Sequence, residues 1–362
     1  MNPIVIVGGG VVGAMIAYEL NRQKQAVVLV EQANAAAGST GAALGVLMGV
    51  ISQKTTGRGW RLREQSLRRY ATLIPELEQV TGCPIPTNPH GLVMLRFRDD
   101  ERDERWQRLQ QVRSQQGWPL DLWDRAQLAA HCPFVDCDRL IGAVHSPQDG
   151  QIQPRPLTAA LIQAASQAGA DCRFGQAVTA LRTEAEGDAH RCTHVQIGTD
   201  WLACDRLILA AGLGSTPLTA QLQQTLDLRP VLGQAFRVRC PHPLHPVEPV
   251  ISGHDVHLVP LGGGDYWVGA TVEFPDEQGI VAAQAHLKEA VWQQAIAVCP
   301  ALAQGDIIES WSGQRPRPHG QPAPVIGSLA GYTNVTLATG HYRNGVLLAP
   351  ATAQQVWGEI VR

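Results

Sequence analysis

The sequence predicts an α/β chain in which a parallel-sheet nucleotide-binding domain is interleaved with a β-rich domain of antiparallel or mixed sheet. Three observations carry this reading. The chain opens with strand, glycine loop, helix, second strand and acid, in the order a dinucleotide-binding unit requires. Buried-type strands ending in small residues return near residues 210 and 338. Between them, Pro230 to Glu273 reads as strand throughout.

The first element is the β-branched run Ile4-Val5-Ile6-Val7, a buried strand. Gly8-Gly9-Gly10-Val11-Val12-Gly13 follows at once, giving G-x-G-x-x-G between strand and helix. Gly8 permits the tight turn, Gly10 lets a pyrophosphate approach the backbone, and Gly13 lets helix pack on strand. The helix from Ala14 to Leu20 then offers free N–H groups and a positive dipole end to phosphate. A second strand, Ala26 to Val30, ends at Glu31, eighteen residues past Gly13, where a ribose-binding acid belongs. A glycine-rich turn without a ligand is the plain alternative. The register of all five parts favours a Rossmann-like dinucleotide site.

Gly38 to Gly45 is small and polar, which favours a loop with free backbone N–H groups. Trp60 to Gln79 has helical spacing, residues 83–100 read as strands, and 101–117 as a charged helix. Residues 157–168 form another helix, with short strands at 177–179 and 193–197. Asp205 to Gly212 is a buried strand running into a glycine turn. In the strand-rich part, Gly262-Gly263-Gly264-Asp265 makes a hairpin turn. Residues 281–298 are an amphipathic helix, and the strand Val335 to Ala338 leads through residues 339–345 into a helix expected near Pro350.

At 362 residues the chain is long enough for two domains. A net charge of −3 with 17% charged residues provides no polybasic surface for nucleic acid or membrane. The first strand begins too early to leave room for a signal peptide, and no apolar run is long enough to span a bilayer, so a soluble cytoplasmic protein is expected. The eight cysteines and twelve histidines are scattered, which points to free thiols and no metal site.

Two later stretches narrow the class: Trp311-Ser312-Gly313-Gln314-Arg315-Pro316 with Pro324-Val325-Ile326-Gly327, and the run from Gly340 to Thr352. With the N-terminal loop, they make nearly the whole chain resemble the D-amino-acid oxidase family of FAD-dependent amine oxidoreductases, and within it the glycine oxidase group. The resemblance implies an FAD-binding domain of residues 1–80, 145–229 and 310–362, and a substrate-binding domain of 81–144 and 230–309. The implied FAD contacts are Gly8, Gly10, Val11, Val12, Gly13, Glu31 and Gln32 in the first unit. Ser39, Thr40, Leu44, Gly45 and Val46 follow in the small-residue loop, then Val178 at the adenine and Gly212. His341, Tyr342, Arg343, Asn344, Gly345, Val346 and Leu347 match the segment wrapped on the flavin ring. No cysteine lies near that segment, so the FAD is expected to be non-covalent.

What the resemblance implies chemically is oxidative deamination of glycine or another small amino acid. A hydride passes from the α-carbon to flavin N5, giving imine and H2O2. Oxygen or a small electron acceptor completes the cycle. The alternative is a D-amino-acid or amine dehydrogenase of the same fold that passes electrons to a quinone or other carrier. A role in supplying the thiamine thiazole pathway, a thiazole-synthase partner and homo-oligomerisation all stay open. Arg315 matches the arginine that clamps the substrate carboxylate, with Arg343 beside it. His257 stands where glycine oxidases have a tyrosine, and Val272 where they have a methionine; the loop after Arg315 is one residue longer and lacks the usual aspartate. An ordinary imidazole at His257 would titrate near pH 6.5, so its carboxylate binding would weaken between about pH 6 and 8. On the residues alone, Arg315 fits a surface loop, Arg343 a turn and His257 a core strand. His341 is expected to brace its loop and Trp311 to pack.

Overall fold

The computed structural model describes residues 2–98 and 103–361. The expectations for 83–100 and 101–117 therefore fall partly outside the described residues, at 99–102.

A six-stranded sheet runs in the order Val325–Ser328, Val335–Thr339, Arg206–Leu209, Ile4–Val7, Val27–Glu31 and Asp171–Phe174. All its pairings are parallel except that of the Val325–Ser328 edge. The pleat sorts its side chains. Ile4, Ile6, Val27 and Leu29 face the helices Val11–Arg22, Pro154–Gln167 and Gly345–Ile360, whereas Val5, Val7, Val28 and Val30 face a three-stranded sheet built from residues 178–203. Buried on both faces, such strands read as continuous apolar runs.

An eight-stranded sheet contains, in order, Asp306–Pro318, Leu228–Arg239, Asp265–Gly269, Val256–Gly262, Val250–Gly253, Leu92–Phe97, Leu140–Ser146 and Asp121–Asp124. It is antiparallel except where Val250–Gly253 meets Leu92–Phe97. The strand Asp306–Pro318 crosses the domain junction expected at 309/310 and lies wholly in this sheet. The Gly262 to Gly264 turn has positive φ at all three glycines.

Two local expectations are corrected. The small-residue loop closes into a short helix, Ser39–Ala42. The C-terminal helix begins at Gly345, and Pro350 lies inside it. Proline has no N–H for the carbonyl four residues back, which leaves Val346 O without its helical donor. The long helix Gly57–Thr81 supplies the substitute, because the Tyr70 hydroxyl donates to Val346 O at 2.5 Å. One turn earlier, Ser66 Oγ accepts from Ala351 N at 3.2 Å. The proline is tolerated because a neighbouring helix repairs its gap.

Candidate active site

A cavity of 1930 Å³ runs from the glycine loop, under the large sheet, to the start of the C-terminal helix. All the expected cofactor positions except Gly13 and Leu347 line it, as do Arg315 and His257. The two exceptions pack beside it: Leu347 is buried in the core, and a Cβ at Gly13 would stand 1.9 Å from Gly8 O. Gly13 thus holds the helix against the turn.

The first turn of Val11–Arg22 has no acid and no side-chain cap, which leaves its positive end suited to an anion. Thr40 Oγ accepts from Val11 N at 3.0 Å, and a Cβ on Gly10 would meet that oxygen at 3.0 Å. Glu31 accepts from Gly9 N at 2.7 Å and from Ala33 N at 2.9 Å, fixing its carboxylate at the cavity wall. Ser39 donates to Gln314 O at 2.6 Å, and Trp311 Nε1 donates to Ala42 O at 3.0 Å. The short helix is therefore docked on the strand that carries Arg315.

Arg315 Nη1 donates to Leu232 O at 3.0 Å and Thr271 O at 3.1 Å, and no acid pairs with it among the described residues. Burial, and then the neighbouring Arg343, pull its guanidinium below the usual arginine range. It lies flat over Gly233, where a Cβ would stand 2.1 Å from Nη2. The two carbonyls sit in one network. Leu232 exchanges backbone hydrogen bonds with Glu273, and the buried Glu273 carboxylate accepts from Gln234 Nε2 at 2.9 Å and Gln284 N at 2.6 Å.

Arg343 donates to Asp255 Oδ1 at 2.9 Å. Burial opposes its charge, but the Asp255 carboxylate and Tyr342 hold its guanidinium above the usual range. His257 Nδ1 lies 2.9 Å from Ser252 Oγ. Its pKa is pushed down to about 4, first by burial and then by Arg343 and Arg315. The titration expected between pH 6 and 8 is thereby corrected: His257 is neutral there, because a low-dielectric wall and two cations disfavour imidazolium.

His341 Nε2 lies 2.9 Å from Thr352 Oγ, whose hydroxyl donates to Leu348 O at 2.8 Å. Burial and Arg58 lower this imidazole to about 3, so it donates as a neutral ring and ties the loop to the helix. Asn344 N donates to His341 O at 3.0 Å, so that amide already has a protein partner. Gly345 and Val346 open the helix and line the cavity, and N–H groups of a helix's first turn have no partner within the helix.

Several contributors escaped the sequence reading. Asp255 sits with His254 in a turn where both have positive φ, joining the strands Val250–Gly253 and Val256–Gly262. Two strands separated by two residues is a hairpin signal, but His-Asp lacks the glycine that usually marks it. Gly233, Ser252 and Thr271 carried no local signal.

The cavity fits FAD. A glycine-lined helix start, an acid at the end of the second strand and a second helix start lie along one cavity large enough for a dinucleotide and a small substrate. The fold and site define an FAD-dependent oxidoreductase. The FAD dependent oxidoreductase (DAO) family model matches residues 3–356, and the chain belongs to that family. It is 30% identical to the glycine oxidase of Geobacillus kaustophilus over 96% of this chain and 90% of that protein. The crystal structure of glycine oxidase from Geobacillus kaustophilus superposes with a TM-score of 0.88 at 28% identity, covering 100% of this chain and 95% of that one. The bifunctional protein ThiO/ThiG of Synechocystis sp. is 32% identical over 97% of this chain, which spans 50% of that protein. Among the described residues, no helix is long and apolar enough to cross a membrane.

Proposed function

We propose that this protein oxidises glycine or another small amino acid to its imine, with release of H2O2. The observation that carries the reading is Arg315, a cation enclosed in the cavity wall, anchored through Nη1 to two carbonyls and paired with no acid among the described residues. Such a group suits a carboxylate, which its remaining donors can bind in a fork. Bound FAD would supply the hydride acceptor, N5 of its ring.

The chain's own residues orient and shield. Arg315 fixes the carboxylate and thereby the direction of the α-hydrogen. Arg343, held by Asp255, adds positive charge at the same end. Neutral His257, bonded to Ser252, offers an uncharged polar edge beside the substrate. Val272 lines the cavity and, with the imidazole, leaves room beside the α-carbon for more than a hydrogen. The helix start at Gly345 and Val346 favours negative charge at the atoms it faces. The similarity to ThiO/ThiG supports a supply of imine to thiazole formation.

The test is an anaerobic panel of glycine, sarcosine, and D- and L-amino acids, read by loss of flavin colour, with air then admitted. Bleaching by glycine or an alanine-sized amino acid and rapid recolouring in air are expected. Failure of every amino acid to bleach the flavin refutes the reading. Bleaching without air recolouring assigns the electrons to another acceptor.

A further inference from the structure

Among the arginines that line the same cavity, Arg63 takes no part in the chemistry above. Arg63 lies on Gly57–Thr81, three residues before Ser66 and seven before Tyr70, and is half-buried at the cavity wall. Among the described residues, its one protein hydrogen bond runs from Nη1 to Gly59 O, 2.8 Å away in its own helix. Nε is buried and has no partner, and no acid lies within ion-pair distance among the described residues. The nearest carboxylate, Asp149, is already engaged: it accepts from Gly49 N at 2.7 Å, Val50 N at 2.9 Å and Ile51 N at 2.7 Å. From the other side, buried Arg113 donates to Val50 O at 2.7 Å and to Ser52 O and Lys54 O at 2.8 Å. The loop beside Arg63 is therefore fixed, and residues 49–56 contain no acid to swing over and pair with it. A buried guanidinium donor left open, as Nε is here, is costly unless an acceptor meets it.

Its position says which anion. Arg63 lines the cavity with Met48, Ser52 and Met94. Met48 stands two residues past Val46, the last flavin position expected in that loop. Met94 is in register with Ser252, the partner of His257. This part of the wall therefore adjoins the substrate residues, away from the phosphate-binding loop. Arg315 stands on an edge strand of the large sheet and Arg63 on the helix Gly57–Thr81, so the two arginines reach the one cavity from different elements.

We infer that Arg63 is a second anion-binding group, recognising a carboxylate at the far end of an amino acid whose α-carboxylate is held by Arg315. This rests on the amino-acid oxidase reading and extends it to dicarboxylic substrates. The burial that pulls the Arg63 guanidinium below the usual range fits a group set against the cavity wall.

The test uses the FAD-loaded protein and ligands that cannot be oxidised. Dicarboxylates from malonate to suberate, and monocarboxylates of matched length, are titrated while flavin absorbance is read. Over some span of chain length, a dicarboxylate should bind at least tenfold tighter than its monocarboxylate. Arg63→Met should abolish that advantage with FAD content retained, and Arg63→Lys should restore part of it. No dicarboxylate advantage, an advantage that survives Arg63→Met, or loss of FAD in Arg63→Met overturns the inference. Because no turnover is involved, this outcome is independent of the bleaching panel: failure of that panel with a dicarboxylate advantage intact removes the oxidase reading and leaves the anion site.

Discussion

Replacing Gly233 by alanine should disable the carboxylate clamp without touching it chemically. Gly233 lacks the positive φ that an alanine would resist, so the effect is one of space. The new Cβ would stand 2.1 Å from Arg315 Nη2 and 2.5 Å from Cζ and Nη1. Ordinary contact needs about 3.5 Å, so the guanidinium must move by roughly 1 to 1.5 Å. The bonds from Nη1 to Leu232 O and Thr271 O, at 3.0 and 3.1 Å, cannot both survive a shift of that size. Hydrogen bonds to charged groups contribute roughly 1.5–3 kcal/mol, and tenfold in rate is about 1.4 kcal/mol, so kcat/KM for glycine should fall about ten- to hundredfold. The assay is steady-state oxidation, with FAD content and melting temperature as controls. In an Arg315→Ala background, Gly233→Ala should add little, since coupled residues are not additive. Activity within twofold of wild type, or a full further loss in that background, would refute the argument.

Three further outcomes are expected. Gly10→Val should yield pale, FAD-depleted protein, read by visible absorbance, because the branched side chain displaces Thr40 from Val11 N–H and blocks the approach of phosphate; full FAD retention would count against the loop assignment. Tyr70→Phe should destabilise by about 1–3 kcal/mol in denaturant titrations, since it leaves Val346 O buried and unbonded above Pro350; a change below about 0.5 kcal/mol would mean that water fills the gap. For pH, His257 at about 4 and His341 at about 3 both lie below the unfolded value of about 6.5, so the unfolded chain binds more protons in between. Their stabilisation is fully present above about pH 6.5 and is lost as pH falls toward 4, whereas the ratio of KM between wild type and His257→Gln should stay flat from pH 6 to 8; a step in that ratio near pH 7 would contradict the burial argument.

The nucleotide-binding half was legible because its signals are local. The Ile4–Val7 strand, the glycine loop and Glu31 lie within about thirty residues and obey one pattern. The large sheet was only half legible. Asp121–Asp124 is half-polar and Val250–Gly253 is four residues long, so neither shows a clear period on its own. The helix start at Gly345 is not legible locally, because proline favours the first turn of a helix and Pro350 therefore points to a later start. What permits Pro350 inside the helix is Tyr70, distant in sequence, and no local rule reveals it. The histidine case is similar. His257 lines the cavity, but its pKa depends on Arg343, Arg315 and enclosure by other elements, none of which a strand pattern encodes.

The strand Asp306–Pro318 explains why the cofactor and substrate positions appear together in one short motif. Side chains alternate along a strand, so Trp311, Gly313 and Arg315 share a face. Trp311 holds Ala42 O, a Cβ at Gly313 would meet Ala42 Cβ at 2.2 Å, and Ser39 bonds the Gln314 carbonyl. The next residue is Arg315. The short helix and the arginine proposed to clamp the carboxylate both line the cavity and therefore rest on one rigid ladder, twelve paired residues deep against Leu228–Arg239. A displacement of Ser39–Ala42 would reach Arg315 over a single step of the strand. If the two ends are coupled in this way, linkage makes the effect reciprocal: a ligand that tightens the Arg315 end would tighten the hold on FAD by the same factor. The sequence Trp-Ser-Gly-Gln-Arg is thus one mechanical unit, with glycine for close approach, tryptophan for anchorage and arginine for chemistry.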